Sequence, residues 1–92
     1  MKTIRFSPHA LDQMRLRGAV MEEVSKTVET SSWQQAKYGK QQARKSFPFG
    51  QPSPINQRVY SHKTVHVIFV EEPDEIVIIT VLVYYGEQET ME

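Results

Sequence analysis

Apolar and polar positions near the start of the chain predict two short helices. Ser7 and Pro8 indicate the start of the first, because a serine oxygen can accept from the free amides of a first turn and proline already has a helical φ angle. This helix is predicted to run to Arg17, and Gly18 follows where a left-handed residue commonly ends a helix. The second is predicted from residue 19 or 20 to residue 29 or 30, with a buried stripe at every fourth position. The stripe consists of Val20, Val24 and Val28.

The rest of the sequence has the patterns of β-strands. Residues 2–6 alternate between polar and apolar side chains, which predicts an edge strand or an extended lead-in. The strongest candidates, residues 64–71 and 75–85, are apolar on both faces, so they are predicted to be central strands with cover on each side. Weaker candidates complete the sheet. They are residues 32–38, 42–49 and 55–61, separated by turns or loops at residues 39–40, 50–54 and 62–63.

These elements predict a single α+β domain that spans residues 1–92. A chain of this length is expected to build one hydrophobic core. We expect two N-terminal helices packed on an antiparallel sheet of about four strands, which follow one another as a meander.

Charge is balanced overall but unevenly distributed along the chain. The formal net charge is zero, which argues against a strongly basic nucleic-acid binder. The charged side chains between residues 30 and 70 are all basic, whereas those from residue 71 onwards are all acidic. Two interpretations stay open: the blocks form one positive face, or folding interleaves them into an ordinary surface of ion pairs.

The composition and the apolar runs bear on the cellular location. The chain lacks cysteine, which excludes disulfides and thiolate metal sites and is compatible with a reducing cytosol. Its first residues lack the apolar run of a secretion signal. The longest apolar stretch, residues 76–85, has about half the length that a membrane-spanning helix requires. We therefore expect a cytoplasmic protein that does not contact a membrane.

Three polar side chains share one face of the predicted first helix. His9, Gln13 and Arg17 follow one another at a spacing of four residues. A histidine can transfer protons near neutral pH, and an arginine can stabilise the charge that develops on phosphorus during RNA cleavage. The face is therefore either a candidate catalytic site or the solvated side of an amphipathic helix.

Two polar residues interrupt the strongest predicted strands. His66 lies within the apolar run of residues 64–71, and Thr80 has a comparable place in the last strand. If residues 72–75 form a tight hairpin, the two side chains come roughly opposite each other. They would then form either a hydrogen-bonded pair in the core or the floor of a cleft.

Further basic and aromatic residues are candidates for RNA binding, because cationic groups bind phosphates and flat rings stack on bases. These candidates are Arg44, Lys45, Arg58, Tyr60, Tyr84 and Tyr85. The sequence has no metal-ligand spacing of histidines, no phosphate-binding glycine loop and no nucleophile elbow. We therefore expect neither a metal nor another cofactor.

The stretch from residue 7 to residue 19 resembles a prokaryotic family of domains of unknown function. Members of that family begin with histidine-alanine, arginine-methionine and arginine-glycine pairs, and they end with an isoleucine-threonine-valine-x-tyrosine strand. The corresponding residues here are His9-Ala10, Gln13-Met14, Arg17-Gly18 and residues 79–84, with one additional residue before Tyr84. The order of elements also agrees over nearly the whole chain.

The family is similar to the RelE and colicin-type toxin nucleases, in which a helical pair packs on an antiparallel sheet. This resemblance implies a metal-independent ribonuclease that is often encoded with an antitoxin. By position it assigns roles to His9, Arg17, Lys45 and Thr80. Gln13 departs from the pattern, because an uncharged glutamine cannot stabilise a phosphorane as arginine does. Either Arg17 suffices, or this chain keeps the fold without the activity.

Three functional hypotheses follow. In the first, the chain is a toxin-like ribonuclease in which a ribose 2′-hydroxyl attacks the adjacent phosphate. His9 or His66 handles the proton, and Arg17 with Lys45 stabilises charge. In the second, a non-catalytic module binds RNA or a protein partner through the basic segment 30–70. In the third, the chain pairs with a second copy through an exposed sheet edge and has no chemistry of its own.

Overall fold

The computed structural model describes residues 2–86, so the last acidic residues of the chain lie outside the described part. The elements, in chain order, are β1 (Thr3–Phe6), α1 (Pro8–Arg17), α2 (Met21–Thr30), β2 (Gln34–Gln35), β3 (Gln41–Pro52), β4 (Val59–Glu71) and β5 (Glu75–Gly86). The predicted first helix is confirmed over its whole length. The Ser7 side chain accepts from Ala10 N at its start, and Gly18 follows its end with a φ of 86°.

The α+β class is confirmed, with five strands instead of about four, in the order β1-β5-β4-β3-β2. The pairings among β2, β3, β4 and β5 are antiparallel. β1 lies parallel to β5 at the edge of the sheet, in agreement with the edge strand that residues 2–6 predict. The sheet is therefore not a pure meander, because its first strand precedes the helices and returns beside the last strand.

The long hairpin of β3 and β4 differs from the prediction. The sequence predicts a loop at residues 50–54, a strand at 55–61 and a turn at 62–63, but β3 extends to Pro52 and β4 runs unbroken through residues 62–63. β2 is only two residues long and leaves most of β3 as a free edge. Prolines are tolerated there because an edge strand can lack an amide donor.

The segment between α2 and β3 is mostly not a strand. The strand predicted at residues 32–38 is reduced to Gln34–Gln35. It is followed by a tight turn in which Tyr38 and Gly39 both have left-handed backbone, with φ values of 59° and 75°. Two successive positive φ values are those of a short hairpin turn. The turn therefore comes one residue earlier than the sequence suggests.

Both helices pack on one face of the sheet and share one core with it. The largest part of this core is built from Ala10, Met14, Val24, Val28, Val65, Val67, Phe69, Ile78 and Val81. The predicted stripe of the second helix is confirmed for Val24 and Val28. Val20 is 54% exposed, because it is the residue before the helix and does not lie on its buried side.

The opposite face of the sheet carries no α-helix in the part of the chain that the structure describes. The prediction that both central strands are covered on each side is therefore wrong. Directly paired residues of neighbouring strands point to the same face, so the register defines this surface. We call it the open face, and its residues on the three central strands are Gln42, Arg44, Thr64, His66, Ile68, Thr80, Leu82 and Tyr84.

Helix α1 completes the outer edge of β5 beyond the end of β1. β1 pairs with β5 only as far as Ile78. Further along, Val81 N donates to Gln13 Oε1 at 2.8 Å, and Arg17 Nη1 donates to Val81 O at 2.8 Å. Val81 is fully buried. Two side chains of α1 therefore satisfy the backbone amide and carbonyl of Val81, which would otherwise need a partner strand.

A buried ion pair holds the turn between the helices against β4. Lys63 Nζ donates to Gly18 O at 2.7 Å and lies 2.9 Å from Glu23 Oε1. The Tyr85 hydroxyl donates to Arg17 O at 2.6 Å. A Cβ atom on Gly18 would lie 2.5 Å from that hydroxyl, so both space and backbone conformation require glycine. The lysine is accommodated because its charge has both a carboxylate and a carbonyl partner.

Replacing Gln13 by alanine should lower the free energy of unfolding by about 1–3 kcal/mol, the cost of leaving the buried Val81 amide without an acceptor. Gln13→Glu, which keeps an acceptor oxygen, should lose less. Asp12→Ala on the exposed side of the same helix serves as the control, because a surface ion pair contributes little. Denaturant unfolding measures all three variants, and equal stability of Gln13→Ala and Asp12→Ala would contradict the edge role of Gln13.

Candidate functional site

The structure distributes the ten residues predicted for the site over four places. The first is the α1 edge of β5, with His9, Gln13 and Arg17. The second is the open face, with Arg44, His66, Thr80 and Tyr84. The third is the far end of the β3–β4 hairpin, with Arg58 and Tyr60. The fourth is the helix-covered face of β3, where Lys45 lies opposite Val65.

The polar stripe of α1 is occupied by structural bonds. Gln13 accepts from the backbone amide of Val81, and Arg17 donates to the backbone carbonyl of the same residue, as described above. His9 lies one turn earlier on the same side of the helix and is exposed. Two of the three side chains of the stripe therefore hold β5, and the third, His9, is exposed.

A pocket of about 650 Å3 lies on the open face, beside the turn that connects β2 to β3. Its lining combines residues of that turn with residues of the three central strands. They are Gln35, Ala36, Lys37, Tyr38, Lys40, Gln42, Ile68 and Thr80. Thr80 therefore lines a concave surface, and the floor of a cleft is one of the two interpretations that the sequence leaves open for it.

The charge of this pocket is positive. Lys37 and Lys40 line it, and Arg44 lies on the same face two residues along β3 from Gln42. None of the eight lining residues is acidic. For this part of the surface, the structure favours a positive face over an interleaved pattern of ion pairs.

His66 lies beside the pocket and is held by Gln42. Its Nε2 atom is 2.8 Å from Gln42 Oε1, so an amide oxygen accepts the Nε2 proton. Its Nδ1 atom has no hydrogen-bond partner in the described structure, and the residue is only 9% exposed. Burial lowers the pKa of His66, and the positive charge of Arg44, its direct neighbour on β3, lowers it further. The ring is therefore neutral at physiological pH, with a lone pair on Nδ1.

A β-bulge brings Thr80 to the same face as His66. The ladder pairs Phe69 with Ile78 but Ile68 with Thr80, so Ile79 is an additional residue on β5. Without this bulge, Thr80 would point toward the helices. The sequence predicts that His66 and Thr80 come roughly opposite each other; in the structure His66 pairs with Leu82, and Thr80 pairs with Ile68. The two polar residues are diagonal neighbours on one face.

Of the remaining candidates, Tyr84 lies on the open face, whereas Arg58 and Tyr60 lie away from the pocket. The ring of Tyr84 lies 6.5 Å from that of His66 and extends the open face toward the end of β5. The Arg58 guanidinium lies 5.8 Å from the centre of the Tyr60 ring, which in turn contacts Tyr85 at 5.9 Å. The structure therefore joins Arg44, His66, Thr80 and Tyr84, and it does not bring Lys45, Arg58 or Tyr60 to them.

Four residues that line the pocket are not among the candidates that the sequence predicts, namely Lys37, Tyr38, Lys40 and Gln42. The only sequence signal was the run Lys37-Tyr38-Gly39-Lys40, in which a glycine marks a turn between two lysines. Gln42 gave no signal, because its bond to His66 joins residues that are distant in sequence.

Residues 2–86 contain no group of three or more histidine and acidic side chains with the geometry of a metal site. No helix among the same residues is long and apolar enough to cross a membrane.

Acidification should destabilise the fold through His66. The unfolded chain protonates this histidine near its ordinary pKa of 6.5, whereas the pKa in the folded chain is lower. The unfolded state therefore binds more protons below that pH, and the free energy of unfolding falls as the pH drops from about 7 to about 5.

Denaturant unfolding at a series of pH values tests this expectation. His66→Gln should lose less stability on acidification than the wild type, and His62→Gln should keep the wild-type dependence. The same pH dependence in the wild type and in His66→Gln would show that His66 is not the group responsible.

Comparison with known proteins identifies a family over most of the chain. No curated protein and no solved structure matches this chain. A family model described as a domain of unknown function, DUF4258, matches residues 6–83, a range that includes both helices, the pocket and the residues that close the edge of β5. The chain therefore belongs to the DUF4258 family of domains of unknown function.

Proposed function

We propose that the open face binds single-stranded RNA. The observation that carries this proposal is the pocket lined by Lys37, Tyr38 and Lys40, with Arg44 on the same face. Lysine and arginine side chains bind phosphates, and an exposed tyrosine provides a flat surface for a base. Gln42 and Thr80 add groups that can form hydrogen bonds at the floor of the pocket.

Single strands fit this surface better than a duplex. The cationic groups lie around a concave site that is also lined by aromatic and apolar side chains, and unpaired bases can reach such side chains. In a regular RNA helix the bases are stacked inside, so the main contacts would be with phosphates and ribose hydroxyls. The neutral total charge of the chain does not oppose this proposal, because Lys37, Lys40 and Arg44 form a local group of positive charges at the pocket.

RNA cleavage at the same face is a second candidate function, favoured by the state of His66. In the proposed cleavage, the neutral Nδ1 atom of His66 takes the proton from a ribose 2′-hydroxyl, and the oxygen of that hydroxyl attacks the adjacent phosphorus. The bond from phosphorus to the 5′-oxygen breaks, and that oxygen takes a proton from a water molecule, which leaves a cyclic 2′,3′-phosphate. The resulting hydroxide removes the proton that His66 carries, so that the imidazole is again neutral. Arg44 lies next to His66 and would stabilise the negative charge on the phosphate oxygens.

The burial of His66 bears differently on the two candidate functions, RNA binding and RNA cleavage. Nδ1 is enclosed, and Nε2 is bonded to Gln42, so the imidazole must turn toward the pocket before it can contact RNA. A binding function needs no such movement. For this reason, we propose binding as the primary function and cleavage as an additional activity.

The resemblance to RelE and colicin-type toxin nucleases supports the same class of ligand. It also supports an antitoxin-like protein as a partner that covers the RNA-binding face. In our proposal, the site of this chain lies on the open face, because Gln13 and Arg17 of α1 are already bonded to β5.

Removing a charge from the open face should weaken RNA binding in a salt-dependent way. Lys37→Gln and Arg44→Gln should raise the Kd for a short single-stranded RNA, and each should reduce the slope of log Kd against log salt by about 0.7. Lys26→Gln removes the same charge from the exposed side of α2 and should leave the slope unchanged. Fluorescence anisotropy at several salt concentrations provides the measurement. Equal slopes for all four proteins would contradict the proposed binding face.

The three histidines of the chain allow a test of cleavage. If His66 is the proton acceptor, His66→Gln should reduce the cleavage rate by about 100-fold or more, because general bases contribute on this order. His62→Gln should cleave like the wild type, and EDTA should have no effect on any protein. Gel analysis of a mixed RNA pool measures the products. Loss of cleavage in His9→Gln alone would move the catalytic site to α1, and binding without cleavage by the wild type would leave binding as the function.

A further inference from the structure

Tyr38 occupies a backbone position that tyrosine rarely adopts. Its φ and ψ values are 59° and 40°, and Gly39 follows with a φ of 75°. Hairpin turns with two successive positive φ values strongly prefer asparagine, aspartate or glycine at these positions. A tyrosine in left-handed conformation is strained, and such strain is often found at functional sites.

The Tyr38 side chain is also unusually accessible. It is 90% exposed, the highest value among the large hydrophobic side chains in the described part of the chain. It contributes nothing to the core, and it lines the pocket on the open face. Neither folding nor packing therefore accounts for a tyrosine at this position.

Two lysines lie in the same turn as Tyr38, one before it and one after it in the chain. Lys40 Nζ lies 5.5 Å from the centre of the ring, and Lys37 directly precedes the tyrosine and lines the same pocket. A short turn holds these three side chains together, since Lys40 N donates to Lys37 O at 3.2 Å. The turn therefore presents one flat ring beside the ammonium group of Lys40, with a second lysine lining the same pocket.

We propose that Tyr38 stacks on an unpaired base of RNA bound at this pocket and thereby selects single-stranded over double-stranded RNA. This inference rests on the proposed RNA-binding function and assigns its specificity to one side chain. The two lysines bind the phosphates on either side of the stacked nucleotide. Stacking tolerates every base, because each base has a flat face, so the site selects strandedness and not sequence.

Tyr38→Asn and Tyr38→Trp test this role without disrupting the turn. Asparagine fits left-handed backbone better than tyrosine, so Tyr38→Asn should unfold at the same temperature as the wild type or at a higher one. Tyr38→Trp keeps a flat ring. Leu16→Ala, which removes an exposed apolar side chain from α1, serves as the surface control.

The Kd is measured for a short single-stranded RNA, for the same RNA annealed to its complement, and for an abasic analogue. Tyr38→Asn should raise the Kd for the single strand about tenfold, and its affinity for the duplex and the abasic strand should equal that of the wild type. Its salt dependence should also be unchanged, because stacking releases no counterions. Tyr38→Trp and Leu16→Ala should bind the single strand like the wild type.

The outcomes separate this inference from the function on which it rests. If the wild type binds no single-stranded RNA, both are wrong. If the wild type binds it and Tyr38→Asn binds equally well, RNA binding stands and the stacking role of Tyr38 is wrong. An equal loss of affinity for single strand, duplex and abasic strand also overturns stacking, since it would show a general effect on the turn.

Discussion

The structure depends on how the outer edge of β5 is closed. A buried strand edge must have hydrogen-bond partners, and β1 supplies them only as far as Ile78. Beyond that point Gln13 and Arg17 of α1 bind the amide and the carbonyl of Val81. A short parallel strand and a helix thus together form one border of the sheet. This border fixes α1 beside β5 and places both helices on one face, so the opposite face is left open.

Two features decide which side chains lie on the open face: the register between the strands, and the additional residue Ile79 in β5. The bulge at Ile79 rotates Thr80 to the side of His66, while the tight turn at Tyr38 brings two lysines toward the same surface. Residues 2–86 thus separate into a helix-covered side that is largely structural and an open side with a positive pocket. The buried contact of Lys63 with Glu23 reinforces this division, because it removes one basic residue from solvent.

Local signals in the sequence predicted the helices well. Ser7 and Gly18 act within one turn of the positions that they cap, so α1 could be bounded without knowledge of the tertiary structure. The tight turn between β4 and β5 could likewise be placed from local residues alone. The role of Gln13 could not be predicted, because its partner lies 68 residues away and is a backbone amide. The bulge at Ile79 also has no local signature, yet it decides which face Thr80 joins.

The central claim is that this chain presents its ligand-binding surface on the open face and not on the polar stripe of α1. Titration of the isotopically labelled protein with a short single-stranded RNA, followed by NMR of the backbone amides, tests it most directly. We expect the largest changes in amide chemical shift at Lys37, Gln42 and Thr80 and along the neighbouring strands. Shifts confined to α1, with none around the pocket, would contradict it.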